Sequence, residues 1–230
     1  MNSENKVKAV LFDFNGTMIY DSPIHAAVWF DFVPQHGGGT ITNEDVEKRC
    51  LGRDNAQILT DFFGKLSDEE IERLAYEKEA EYRRRCRLDP KRFRLNPGLT
   101  DFLDWLRAEK IPINIATGSE INNLNFYFER PEIGLGRWFD RSLVVYDDGS
   151  FPGKPNPDIY LRAAAALGVS CADCLVFEDS YSGVLAAHRA GAKYVVALGE
   201  GVRAEKFADI GGVDLAVEDF TGFRSFPGLF

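Results

Sequence analysis

The chain has 230 residues, 45% hydrophobic and 27% charged, with a formal net charge of −9. This is the composition of a soluble globular protein. The acidic excess argues against a nucleic-acid or anionic-membrane surface, while leaving room for a local basic pocket that takes a small phosphorylated molecule. No stretch has the run of apolar residues a membrane span needs, and Met1–Lys6 lacks a signal-peptide core. A cytoplasmic protein with neither nucleic acid nor membrane as partner is expected, as a monomer or homodimer.

Taken in chain order, short apolar runs predict strands at Lys8–Phe12, Ile111–Ala116, Ser142–Val145, Cys174–Phe177, Tyr194–Ala197 and Leu215–Val217. Helical patterns lie between the later strands. Pro97–Glu109 follows Asn96 as N-cap, Pro157–Leu167 stops at Gly168, and Ser182–Arg189 stops before Gly191. This alternation predicts an α/β fold with a doubly wound parallel sheet. The alternation is interrupted after the first strand. Pro23–Val33 reads as one helix, Thr42–Asp45 as a capping-box start, Asp54–Phe63 as another helix, and Ser67–Glu70 as the opening of a long charged one. In that last helix Ile71, Leu74, Ala75 and Tyr82 form the apolar stripe, and the run Glu77–Arg87 reads as its solvated face. The expected division is core at 1–17, helical insert at 18–94 and core again at 95–230. The tail from Phe220 to Phe230 carries four Phe and is expected to close over the core or lie at an interface. Cys171 and Cys174 form a lone C-x-x-C, which reads as structural because no second pair or nearby histidine completes a zinc site.

Four segments fall at the carboxyl ends of predicted strands, the edge where open α/β sheets bind ligands. They are Asp13-Phe14-Asn15-Gly16-Thr17, Ala116-Thr117-Gly118-Ser119, Gly153-Lys154-Pro155-Asn156-Pro157-Asp158 and Phe177-Glu178-Asp179-Ser180. Asp13 is a carboxylate in a Gly-containing turn, a residue type that forms aspartyl-phosphate intermediates. Attack on an anionic phosphate requires charge cancellation, and Lys154 supplies a cation. Thr117 and the backbone N–H groups of Gly118 and Ser119 supply donors for phosphate oxygens. Glu178 and Asp179, with Asp13, supply hard oxygens for Mg²⁺.

In this order the four motifs resemble the haloacid dehalogenase superfamily, and the helical insert resembles the cap of its β-phosphoglucomutase and sugar-phosphate phosphatase subfamily. The resemblance implies an Mg²⁺-dependent phosphatase of a small phosphorylated metabolite, with sugar phosphates the expected class. Asp13 is then nucleophile and metal ligand, Asn15 gives its backbone carbonyl to the metal, Thr117 binds phosphate, Lys154 orients both, and Glu178 with Asp179 completes the metal site. Leu51–Asn55, with Arg53, resembles the substrate-selecting loop of the cap, and His25 falls where related mutases carry a His facing the active site. Three lysines of the cap, Lys48, Lys65 and Lys78, stand in no context that marks them as catalytic. Trp29, Phe30 and Phe32 read as packing.

One position departs from the pattern. Family phosphatases carry Asp where this chain has Asn15, and an amide neither protonates a leaving oxygen nor activates water. Losing a general acid/base costs roughly 10²–10⁴ in rate, about 3–5 kcal/mol. The sequence leaves three explanations open: a slow enzyme or one for good leaving groups such as acyl phosphates, a proton from Asp21 or His25, or an introduced Asn. The Asp-Ser pair at Asp21-Ser22 also stands one position later than is usual in the family. Glu120, just after Ser119, is a poor neighbour for a second phosphate, which favours hydrolysis over mutase chemistry. The alternatives are a catalytically weakened phosphometabolite-binding or regulatory member and, third, a mutase or a phosphonate or haloacid hydrolase.

Overall fold

The computed structural model describes residues 6–199 and 201–223. Strand β1 (Ala9–Phe12) is buried along its whole length. An apolar run of this kind is covered on both faces, and β1 accordingly takes an inner place in a six-stranded parallel sheet of order β3-β2-β1-β4-β5-β6. The others are β2 (Ile113–Thr117), β3 (Val145–Tyr146), β4 (Cys174–Glu178), β5 (Tyr194–Leu198) and β6 (Leu215–Val217). Chain order reverses between β1 and β4, so a crevice opens at their carboxyl ends. Helices α5 (Leu99–Ala108), α6 (Ile121–Phe128), α7 (Asp158–Ala166) and α8 (Tyr181–Arg189) connect the later strands. Beneath the crevice, Phe12 stacks on Phe177 at 5.3 Å, and Phe102, Phe220 and Phe223 close around them. The tail thus closes over the core as far as Phe223; the rest of it lies outside the described residues.

Four helices intervene between β1 and α5. They are α1 (Ser22–Gln35), α2 (Asn43–Asp45, running into a wide π turn over Val46–Cys50), α3 (Asn55–Phe63) and α4 (Asp68–Leu88). The predicted starts reflect real hydrogen bonds: Asp54 caps α3 through Gln57 N–H, and Ser67 and Glu70 form a reciprocal capping box on α4. These helices share an apolar cluster that includes Trp29, Phe32, Ile58 and Leu74, while Ile24 and Val28 of α1 and Tyr82 and Cys86 of α4 join the cluster beneath the sheet. Among the described residues no helix is long and apolar enough to cross a membrane. All four cysteines are free and buried.

Two predicted elements shift for local reasons. Asp140 accepts from Ser142 N–H at 2.9 Å, which turns Arg141–Leu143 into a 3₁₀ turn and delays the strand to Val145. Asn96 does not cap α5. Its Nδ2 donates to the carbonyl of Thr17 at 2.6 Å, pinning the turn after β1, and α5 starts instead from Gly98 with φ of 77°.

Candidate active site

The carboxyl ends of β1 and β4 bring Asp13, Glu178 and Asp179 together, with carboxylate oxygens within 4.8 Å of one another. Lys154, buried, places Nζ 2.5 Å from Asp13 Oδ1 and 2.5 Å from Glu178 Oε1. Glu178 Oε1 also accepts from Tyr160 at 2.6 Å, and Oε2 accepts from the N–H groups of Asp179 and Ser180 and from the Ser180 hydroxyl. Three carboxylates face one ammonium. Burial pushes Asp13 up to about 7 against the pull of Lys154, with Glu178 adding to the rise. Burial, then Asp13 and Glu178, push Asp179 well above the carboxylate range. Burial alone would lower Lys154, but Asp13 and Glu178 outweigh it and hold it above its usual value. The donor set fits a hard divalent cation, whose charge would offset the excess of carboxylates. Asp13 and Asp179 are the freer donors, since among the described residues Asp179 accepts only from Ser22 Oγ at 3.3 Å, whereas Glu178 is engaged at both oxygens. Gly16 is required here: its φ is +82°, and a Cβ on it would overlap the Asp179 carboxylate.

Asn15 sits in different company. Its Nδ2 donates to Asp21 Oδ2 at 2.6 Å, Tyr127 Oη at 2.9 Å and Tyr82 Oη at 3.2 Å. Its Oδ1 accepts from Ser119 Oγ at 2.8 Å and Thr117 Oγ1 at 3.5 Å. Asp21 is wholly enclosed; Tyr82 donates to its Oδ2 and Gly16 N–H to its Oδ1. Burial pushes its carboxyl up to about 6, against the hydrogen bonds from Tyr82 and Asn15.

Between these groups and the helices lies a cavity of about 70 Å³, lined by Asp13, Asn15, Gly118, Ser119, Lys154 and Asp179 from one side. His25, Trp29, Arg53, Asn55, Lys78 and Glu79 line it from the other. His25 stacks on Tyr82 at 3.9 Å, and its Nδ1 accepts from Lys78 at 3.2 Å. Burial and then Lys78 lower His25 to about 3, so its imidazole is neutral at pH 7. Burial would raise Glu79, but Lys78 at 2.7 Å and its other partners hold it at about 2.

The family model of haloacid dehalogenase-like hydrolases matches residues 7–191. The chain belongs to the haloacid dehalogenase-like hydrolases. It is 30% identical over 204 residues to a β-phosphoglucomutase of Bacillus subtilis, covering 85% of this chain and 84% of that protein. It is 28% identical over 189 residues to a phosphorylated carbohydrates phosphatase of Thermotoga maritima, covering 80% and 82%. Its fold matches a crystal structure of a family IA, variant 3 hydrolase from Entamoeba histolytica with a TM-score of 0.80 and 36% identity, over 93% of this chain and 94% of that one.

In this haloacid dehalogenase-like hydrolase the predicted site residues do not all reach the cavity. Thr117 is fully buried beside it, its hydroxyl accepting from Ser119 N–H at 3.1 Å. Glu178 is likewise enclosed. Arg53 reaches the wall, but its guanidinium turns to Asp61 at 2.5 Å and Gln57 at 3.1 Å. Glu120 caps α6 through the N–H groups of Asn122 and Asn123 and pairs with Arg83, so it is committed to structure. The reading of Glu77–Arg87 as a solvated face fails at Lys78 and Glu79, which are buried. Trp29 both packs and lines the cavity, with Lys78 Nζ 4.8 Å from its ring. The signal for Lys78 was in the sequence. Leu74, Lys78, Tyr82 and Cys86 follow one another at i+4 spacing, which sets all four on the inward face. Tyr127 and Tyr160 carried no comparable signal.

Proposed function

We propose that the chain is a divalent-metal-dependent phosphatase of a small phosphorylated metabolite, with Mg²⁺ as the metal and Asp13 as the nucleophile. The observation that supports this most is the Lys154 ammonium between Asp13 and Glu178, with Asp179 alongside, at the edge of an enclosed cavity. Lys154 holds Asp13 in place and offsets the charge of an approaching phosphate. The bound metal would supply further charge compensation, held by Asp13, Asp179, Glu178 and the Asn15 carbonyl. Gly118, Ser119 and Thr117 supply donors for the phosphate oxygens. Residues 18–94 act as a cap, and closing it over the phosphate excludes water. Sugar phosphates belong in the substrate panel, since one relative is named a phosphorylated carbohydrates phosphatase.

The test is hydrolysis of acetyl phosphate, p-nitrophenyl phosphate and a sugar-phosphate panel with Mg²⁺ and with EDTA. Release of phosphate that needs the metal, and that Asp13→Asn lowers by about 10⁴-fold or more, is expected. Full activity in the Asp13→Asn protein would exclude the aspartyl-phosphate route.

A further inference from the structure

Asn15 faces the cavity with one fixed polarity. Its amide hydrogens are shared among Asp21, Tyr127 and Tyr82 on the buried side, and its Oδ1 is the atom turned toward Ser119. Turning the amide over would set its oxygen against the Asp21 oxygen now 2.6 Å from Nδ2. Held this way, the amide turns its oxygen, which already accepts from Ser119 at 2.8 Å and more weakly from Thr117 at 3.5 Å, toward the cavity and has no proton to give a departing oxygen.

The other polar groups do not fill that role. Asp21 is sealed behind Asn15 and absent from the cavity wall. Lys78 divides its Nζ between Glu79 at 2.7 Å and His25 at 3.2 Å, with the Trp29 ring beside it. Lys154 is held on the nucleophile's side by Asp13 and Glu178. His25 has Nδ1 accepting from Lys78, while Nε2 faces Asp21 at 3.6 Å.

We propose, resting on the phosphatase reading above, that the enzyme is confined to phosphates whose leaving group departs as a stable anion: acyl, enol and aryl phosphates and phosphoanhydrides. Phosphates of ordinary alcohols are then poor substrates. In the first step an Asp13 oxygen bonds to phosphorus and the bond to the leaving oxygen breaks. The electron pair stays on that oxygen, which leaves unprotonated. In the second step water attacks the phosphorus of the aspartyl phosphate, the bond to Asp13 breaks and the carboxylate is regained. Both water protons leave on the product as dihydrogen phosphate. The aspartyl phosphate is itself an acyl phosphate, so this step needs water oriented, which Asn15 Oδ1 provides, rather than an acid.

The test is kcat/KM with Mg²⁺ for acetyl phosphate, p-nitrophenyl phosphate, phenyl phosphate and glycerol phosphate. A fall of about 10²–10⁴-fold from the acidic to the alcoholic leaving groups is expected, and Asn15→Asp should shrink the acetyl-to-glycerol ratio by about 10²-fold or more. Glycerol phosphate within tenfold of acetyl phosphate in the unsubstituted enzyme would overturn the proposal and leave the phosphatase reading standing. This comparison needs no variant to fold. Absence of turnover on all four substrates would remove the phosphatase reading, and the proposal with it.

Discussion

Asp13 and Asn15 lie two residues apart on one turn, yet their surroundings differ in kind. Around Asp13 the neighbouring polar side chains carry charge: Lys154 at 2.5 Å, with Glu178 and Asp179 beside it. Around Asn15 the partners are hydroxyls from Tyr82, Tyr127, Ser119 and Thr117, with the single carboxyl of Asp21 behind. The first group is short of positive charge and suited to take up a cation and a phosphate. The second is rich in hydrogen bonds and suited to hold one geometry. Charge thus gathers around Asp13 and hydroxyl hydrogen bonds around Asn15, with Asp21 the one carboxyl on the second side.

The largest effect that would break this contrast comes from Lys154→Met. It leaves Asp13 and Glu178 buried without their cation, and a loss of about 3–5 kcal/mol of stability is expected by urea denaturation. The hydroxyl cluster should respond less. Tyr82→Phe removes the donor to Asp21 Oδ2 and should cost about 1–3 kcal/mol, read from the same titration. If the two losses were equal, the distinction between a charged and a neutral half would fail.

The smallest effect sharpens the picture on the helical side. Burial and then Lys78 lower the folded pKa of His25 to about 3 from its ordinary 6.5. The unfolded chain therefore binds a proton first as pH falls, and His25's contribution to stability is complete above pH 6.5 and lost progressively toward pH 3. The raised Asp21 and Asp13 carboxyls act with the opposite sign at pH 4–7, so the comparison must be differential. The melting temperature of the unsubstituted protein, minus that of His25→Gln, should fall as pH drops from 6.5 to 4. A flat difference would show that the imidazole is not held neutral.

The charged half was legible because its members sit on sequence-local motifs at strand ends, and the strand order alone brings Asp13 to Glu178 and Asp179. The neutral half was legible only in part, through Thr117 and Ser119 on their motif and Asp21 after the first turn. Tyr82 comes from α4 and Tyr127 from α6, 67 and 112 residues from Asn15, and nothing local ties either to the turn. Lys78 and Glu79 were hidden differently, as charged residues in a charged run whose inward phase shows only when the i+4 row is followed from Leu74. Arg53 lines the cavity, but its choice of Asp61 as partner depends on helix packing that no single segment encodes.

Gly52 adds a consequence for how far the two halves approach. Its carbonyl accepts from Ser182 Oγ at 2.9 Å, and a Cβ at this position would overlap the Ser180 hydroxyl. The seam between the 51–54 segment and the start of α8 is therefore gauged by a single missing methyl group. Any larger residue would act as a spacer and hold the seam ajar. The closeness of that seam, at the wall of the cavity that Asp13 also lines, is set at a residue with no side chain.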